Sequence, residues 1–318
     1  MAKKRYSKKG KKMEPSMQTL IFASTTVAPN TTGSFYIDLS QCASIVNRRF
    51  YRQGINWAVA GFKVSTLAPA GAVTIRKAQD TWMTSGAWEK TMRHWLKQQN
   101  EAIADAGAES AVAKFRDYKV FLDDEHVTAT FANNLIPIDG NGAAYLQGEW
   151  EASQVVLPNV GAPGNTAEYN VKLYGASGPG VKGIMQGYAD SRAYPFSPDP
   201  QTPAISTGWI GDMFDVGDDQ DAVLQNATDT NDELPYDQQN YPGQSTNAGT
   251  SMIHDTSFIT NTTVGGHTFL KGGQFPCGLI RVDFSVDEDA PTSYNVVLQI
   301  DLVPGNHRGY LCEPMTEM

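Results

Sequence analysis

The chain has 318 residues, 41% of them hydrophobic and 10% aromatic, and its 25 Lys and Arg face 34 Asp and Glu for a formal net charge of −9. This composition excludes a largely disordered chain and leaves ample length for a sizeable core in one large domain or two. No apolar run approaches the roughly 20 residues needed to cross a bilayer, and the basic start is not followed by the apolar stretch of a secretory signal, so no membrane insertion is expected.

Charge is unevenly placed. Residues 1–12, MAKKRYSKKGKK, carry Lys3, Lys4, Arg5, Lys8, Lys9, Lys11 and Lys12, with no acid before Glu14. The remainder holds 18 cations against 34 acids, a net of −16. A run of this kind buries no apolar area and repels itself, which predicts a disordered arm over 1–16 and a polyanion as its partner. A solubility tail or a nuclear import signal is the competing reading.

After the arm, 17–27 and 34–39 read as strands separated by the turn-rich Pro29 to Gly33. A short helix is expected in QCASIVNRRFYRQG, ending at Gly54, and 55–67 with 72–77 reads as a strand pair around Pro69-Ala70-Gly71. Trp88, Met92 and Trp95 recur at i, i+4, i+7 and predict one long helix, with Ser85 as its N-cap and Glu89–Arg93 as an i,i+4 pair. That aromatic stripe is expected to pack against a sheet rather than line a ligand groove. A second helix is expected from Ala108 to about Arg116, then a strand-like 118–122.

Further strands are expected at 127–131, 145–157, 168–174, 252–259, 267–271, 278–286 and 293–303, with the clearest period-2 alternation in LIRVDFSV and NVVLQIDLV. Gly 29 and Pro 17 punctuate them. About ten short strands between turns predict an all-β chain, a sandwich, barrel or jelly roll. The helices fall inside a strand connection rather than in βαβ alternation, which argues against a doubly wound sheet. Residues 193–270 hold eleven acids and no Lys or Arg, and are expected to be a long acidic surface insertion.

Few residue patterns carry chemistry. Asp215, Asp218, Asp219 and Asp221 have neither the spacing nor the Gly and distal Glu of a calcium loop and read as a solvated acidic loop. Cys42, Cys277 and Cys312 form no C-x-x-C and predict reduced thiols in a cytosolic or nuclear setting. The five His show no zinc spacing, and His126 beside Asp124 and Glu125 is the only acid–His cluster, in what reads as a loop. Nucleophile-elbow, P-loop and dinucleotide motifs are absent from the sequence, so no enzyme, cofactor or metal is expected. Arg48-Arg49-Phe50-Tyr51-Arg52 has two readings. Three guanidiniums interleaved with two aromatics suit phosphate contact plus base stacking; equally, Phe50 and Tyr51 belong to the core while Arg48, Arg49 and Arg52 pair with body acids.

The stretches DLSQCASIVNRRFYRQGINWAVAGFKV, DTWMTSGAWEKTMRHWLKQQNEA, KFRDYKVFLDDEH, GEWEASQVVLP and MQGYADSRAYP resemble capsid proteins of small circular Rep-encoding single-stranded DNA (CRESS-DNA) viruses. The resemblance runs from about residue 34 to the middle of the acidic segment, with weaker echoes in FPCGLIRVDFS. It implies a single jelly-roll capsid domain over 17–318, with helical and loop insertions between strands. It also implies self-assembly of identical subunits into a closed icosahedral shell, with the arm inside on a circular single-stranded DNA genome and loops facing out. The protein would belong to the virion and, during assembly, to the host nucleus, with nuclear import machinery as a partner. The arm is shorter and less Arg-rich than in circoviruses. The alternative from another class is a carbohydrate-binding or adhesion sandwich with a targeting tail, in which Trp150, Tyr169, Tyr174 and Tyr188 form a sugar platform or simply core.

Overall fold

The computed structural model describes residues 16–23, 25–66, 68, 70–112, 114–158, 165–193, 251–260, 266–287 and 293–318. The basic arm, the Asp215–Asp221 cluster and most of the acidic stretch therefore lie outside the described residues.

The described chain is mostly antiparallel β-sheet arranged as a sandwich. Its strands in order are β1 (Thr19–Ile21), β2 (Thr25–Val27), β3 (Thr31–Asp38), β4 (Ile55–Thr66), β5 (Ala70–Lys77), β6 (Gln154–Pro158), β7 (Thr166–Lys172), β8 (Val181–Gly183), β9 (Met252–Thr260), β10 (His267–Phe275), β11 (Leu279–Val286), β12 (Tyr294–Leu302), β13 (Pro304–Gly305), β14 (Gly309–Tyr310) and β15 (Cys312–Pro314). The helices are α1 (Leu39–Asn47), α2 (Trp82–Asp105), α3 (Asp124–Ala129) and α4 (Ile184–Ala193).

One sheet runs β1-β12-β4-β10, with β2 continuing along β12 and β15 along β4; the other runs β3-β11-β5-β9. If β1 and β2 are counted as one interrupted strand, the eight sandwich strands follow a simple rule. The first pairs with the eighth, the second with the seventh, the third with the sixth and the fourth with the fifth. Two further pairings, β12 with β4 and β11 with β5, complete the sheets. The alternation read in the sequence sets which faces meet. Val296, Leu298, Ile300 and Leu302 of β12 and Ile280, Val282, Phe284 and Val286 of β11 all enter one core. Trp57, Phe62 and Val64 of β4 lie in that core opposite Val73 and Ile75 of β5. The expected 55–77 strand pair is therefore not a hairpin. β4 and β5 belong to opposite sheets, because their apolar rows face each other across the core instead of side by side.

Between β5 and β9 the chain builds a second unit against the outer face of the β3-β11-β5-β9 sheet. Met83, Ala87, Trp88 and Trp95 of α2 pack on Tyr118, Val120, Leu122, Leu173, Tyr174 and Ile184, together with Tyr36 and Leu279 from the sandwich. The Trp stripe is core, as expected, and Glu89 pairs with Arg93. Gly54 permits the close approach of this helix, since a Cβ there would lie 2.2 Å from the Trp88 ring. β6, β7 and β8 form a small separate sheet in which β7 and β8 run parallel.

Other local expectations differ as well. Thr81, not Ser85, caps α2 by accepting from the Thr84 amide at 3.4 Å, and Ser85 lies in the first turn. The 127–131 strand is instead α3, which begins where the Asp123 carboxylate accepts from the His126 amide at 3.0 Å. The 108–116 helix shrinks to one 3₁₀ turn, Glu109–Ala111, in a largely exposed stretch with no apolar face to bury. The 145–157 strand survives only as β6. The helix expected to reach Gly54 ends at Asn47, where Arg48 turns left-handed at φ 52°. The C-terminal part of the acidic 193–270 stretch supplies β9 and the start of β10.

Candidate nucleic-acid interface

The described chain begins beside the arginine loop. Ser16 Oγ donates to the Gly309 carbonyl at 3.2 Å, the Met17 amide donates to Asn47 Oδ1 at 3.1 Å, and Tyr310 Oη donates to the Met17 carbonyl at 2.7 Å. Asn47 closes α1, and Arg48 is the next residue. Ser16 and Met17, the first described residues, thus lie at the corner where α1 ends and Arg48 follows. One of the two readings of this loop extends the arm's footprint onto it, and the Met17–Asn47 bond puts the first described residues beside Arg48.

The two readings of this loop divide by residue. Tyr51 is core: it is 1% exposed, packs on Trp57 and Tyr310 at ring distances of 5.8 and 5.6 Å, and donates its hydroxyl to the Arg308 carbonyl at 3.0 Å. Arg52 pairs with Asp117 at 3.3 Å and donates to the Arg116 carbonyl at 2.8 Å. Arg48 is exposed, and both Arg48 and Arg49 line a groove. Arg308, which the sequence did not single out, joins this corner by donating to the Phe50 carbonyl.

The groove has a volume of about 780 Å³ and is walled by three segments remote in sequence, 48–50, 115–119 and 148–154, with α1 and α2 behind. Phe50 packs on Phe115 at 5.1 Å and on Trp150 at 6.1 Å. Cations lie over the rings: Lys119 Nζ is 4.9 Å from the Trp150 centroid and Lys114 Nζ is 5.5 Å from that of Phe115. Arg48, Arg49, Arg116 and Lys119 on the wall oppose Asp117, Glu149 and Glu151, so the lining is close to neutral and strongly aromatic. Phe115, Arg116 and Lys119 were missed because the sequence placed them on a helix and a strand with no link to the arginine loop.

Trp150 is held from below. Its Nε1 donates to Asp38 Oδ2 at 3.0 Å, and the same carboxylate accepts from Gln53 Nε2 and from the Ser40 and Gln41 amides at the start of α1. Burial pushes the Asp38 carboxyl up to about 6, against the pull of these four donors.

The acid–His cluster is structural. His126 is fully buried and stacks on Tyr36 at 4.3 Å. Its Nδ1 accepts from the Leu122 amide at 3.1 Å, which leaves Nε2 protonated to donate to Asn134 Oδ1 at 3.0 Å. Burial pushes this imidazole down to about 4. Among the described residues no group of His, Cys, Asp and Glu has the arrangement of a metal site. All three cysteines are free, and Cys42 and Cys277 are buried.

Asp38 and His126 pull stability in opposite directions with pH. The raised Asp38 value means that its contribution is complete below about pH 4 and is lost as pH rises through about 6. The lowered His126 value means that its contribution is complete above about pH 6.5 and is lost as pH falls through about 4. Between about pH 4 and 6 they offset. Replacing the imidazole by His126→Gln is expected to leave Asp38 unopposed, so urea-unfolding stability should rise by about 3 kcal/mol as pH falls from 6 to 4. A variant whose stability falls over that range would contradict the assignment.

The sugar-platform aromatics are not brought to one surface. Tyr174 is fully buried with its hydroxyl accepting from the Gln79 amide at 2.7 Å, while Trp150 and Tyr188 line different grooves. No protein-family model matches the chain, and comparison with curated proteins and with solved structures likewise finds no match.

Proposed function

We propose that the chain is a non-enzymatic capsid protein whose identical copies close an icosahedral shell around a single-stranded DNA genome. The observation that carries this reading is the pairing of first strand with eighth through fourth with fifth, which is how one long antiparallel hairpin rolls into an eight-stranded jelly roll, an architecture used by viral capsid domains. The attachment of the seven-cation arm beside Arg48 supports a genome-facing corner. The resemblance noted in the sequence points the same way.

Self-association has its own support. β9 and β10 are the last described strands of their sheets, and they expose Phe258 at 73% and Phe269 at 71%, while Met252 and Ile253 are exposed at the other end of β9. A strand edge carrying apolar side chains is a liability for an isolated chain and suits coverage by a neighbouring copy. The acidic segment on the outside would keep like-charged particles apart, and the arm would double as the import signal for assembly in a host nucleus.

The test is nuclease protection. Particles purified after expression are expected to sediment with single-stranded DNA that resists added nuclease until the shell is dissociated. Sedimenting particles that protect no nucleic acid would remove the packaging role, and absence of sedimenting particles would remove the capsid reading.

A further inference from the structure

Resting on that reading, we propose that the groove between Phe50, Phe115 and Trp150 is a binding slot for an unpaired nucleobase of the single strand, separate from the phosphate-binding arm. A site that held only phosphate would be lined by excess cations. This one opposes four cations with three acids and is lined by four aromatic rings, those of Phe50, Trp95, Phe115 and Trp150. Phe115 is 55% exposed, which is unusual for a Phe already touching another ring and leaves surface for a stacked base.

Two polar atoms on the groove wall point to a ligand. Gln41 is 2% exposed and bonds through Oε1 to Asn134 Nδ2 at 3.0 Å, yet its Nε2 is a buried donor without a partner among the described residues. Arg116 donates through Nη2 to Asn100 Oδ1 at 2.9 Å, while its Nη1 is likewise buried and unpartnered. Unsatisfied buried donors are uncommon because each costs about 1–3 kcal/mol. Both donors are occluded, so a small turn of the Gln41 and Arg116 side chains is needed before they meet the ring nitrogens and carbonyl oxygens of a base, while Glu149 and Glu151 can accept from an exocyclic amine. Those edges are available only when the base is unpaired, so the slot selects single strands over duplex. The bond from Trp150 to Asp38 makes one wall of the slot rigid before the ligand arrives.

The test uses the full-length protein and fluorescence anisotropy. Two probes of about ten nucleotides are compared, thymidine-cytidine oligonucleotides and abasic strands with the same phosphates, in about 0.5 M salt where backbone attraction is largely suppressed. The base-bearing strand is expected to bind about tenfold more tightly than the abasic one. Phe115→Ala, at an exposed position, is expected to abolish that preference without changing the affinity for the abasic strand at low salt. Trp150→Phe, which keeps a ring and loses the bond to Asp38, is expected to weaken the preference only partly. Equal binding of both strands, unaffected by Phe115→Ala, would overturn the slot and leave packaging by the arm intact. Failure to bind either strand at low salt would overturn the nucleic-acid reading itself, and the slot with it.

Discussion

Deleting residues 1–12 is expected to leave a folded chain that has lost most of its salt-dependent affinity for single-stranded nucleic acid. The deletion removes Lys3, Lys4, Arg5, Lys8, Lys9, Lys11 and Lys12 and leaves a body with a net charge of −16. It stops short of Ser16 and Met17, whose hydrogen bonds to Gly309, Asn47 and Tyr310 tie down the start of the sandwich. Each cation placed on a single strand contributes about 0.7 to the slope of log affinity against log salt, so the seven contribute about five. For the intact chain this corresponds to roughly a thousandfold loss of affinity between about 50 and 200 mM salt. Arg48, Arg49 and Arg308 remain and supply a weaker residual slope. Anisotropy across a salt series measures this directly. A slope unchanged by the deletion would move the binding site from the arm to the body.

Arg281→Ala is expected to cost about 3–5 kcal/mol of stability, the largest effect of any single replacement considered. Arg281 sits on β11, on the face opposite the sandwich core, where its guanidinium is 9% exposed. It donates to Asp283 Oδ1 at 2.8 Å, to Asp123 Oδ2 at 3.4 Å and to Tyr36 Oη at 3.3 Å, and pairs with Glu125 at 2.7 Å. Removing it takes the cation from the buried Asp123 carboxylate and leaves Asp283 with Arg76 alone, the two carboxylates being 5% and 10% exposed. Burial pushes the Asp283 carboxyl up, but hydrogen bonds from Arg281, Ser34 and Arg76 outweigh that and hold it below its ordinary value. The consequence reaches the groove, because Asp123 and Glu125 belong to the unit between β5 and β9 and Arg281 joins that unit to the sheet. Arg281→Met refills the volume without the charge, and adding Asp283→Asn to it should recover part of the loss. A cost below about 1 kcal/mol in urea unfolding would show that the network contributes little.

What was legible in the sequence was local and periodic. The alternation of LIRVDFSV and NVVLQIDLV marks central strands, and it does so because each sends every second side chain into the shared core. The Trp88–Trp95 repeat identified α2 and its buried face for the same reason. Partner choice was not legible. Nothing between 55 and 77 distinguishes a hairpin from two strands that diverge into opposite sheets, since the deciding contacts come from β10, β11 and β12, some 200 residues later. The alternation also misled in one respect. Arg281 and Asp283 look like solvent-facing positions of β11, yet both are buried because the unit between β5 and β9 covers that face.

The candidate site was half legible. The cationic arm and the arginine loop are each a continuous run in the sequence and announce themselves by composition. The groove is assembled from Phe50, Phe115 and Trp150, of which the first and last drew notice for separate reasons and Phe115 for none, and it becomes a site only when the loops holding them converge. Thr81 displaced Ser85 as the cap of α2 because helix boundaries depend on which of several neighbouring hydroxyls first faces the open amides.

Negative-stain microscopy of the purified full-length protein, with its mass measured by light scattering, tests the central claim most directly. The capsid reading predicts uniform closed particles with masses on the order of megadaltons, many copies of a 34.6 kDa chain. A discrete species of one to a few copies, unchanged across salt and pH, would contradict it and return the sandwich to the class of binding modules.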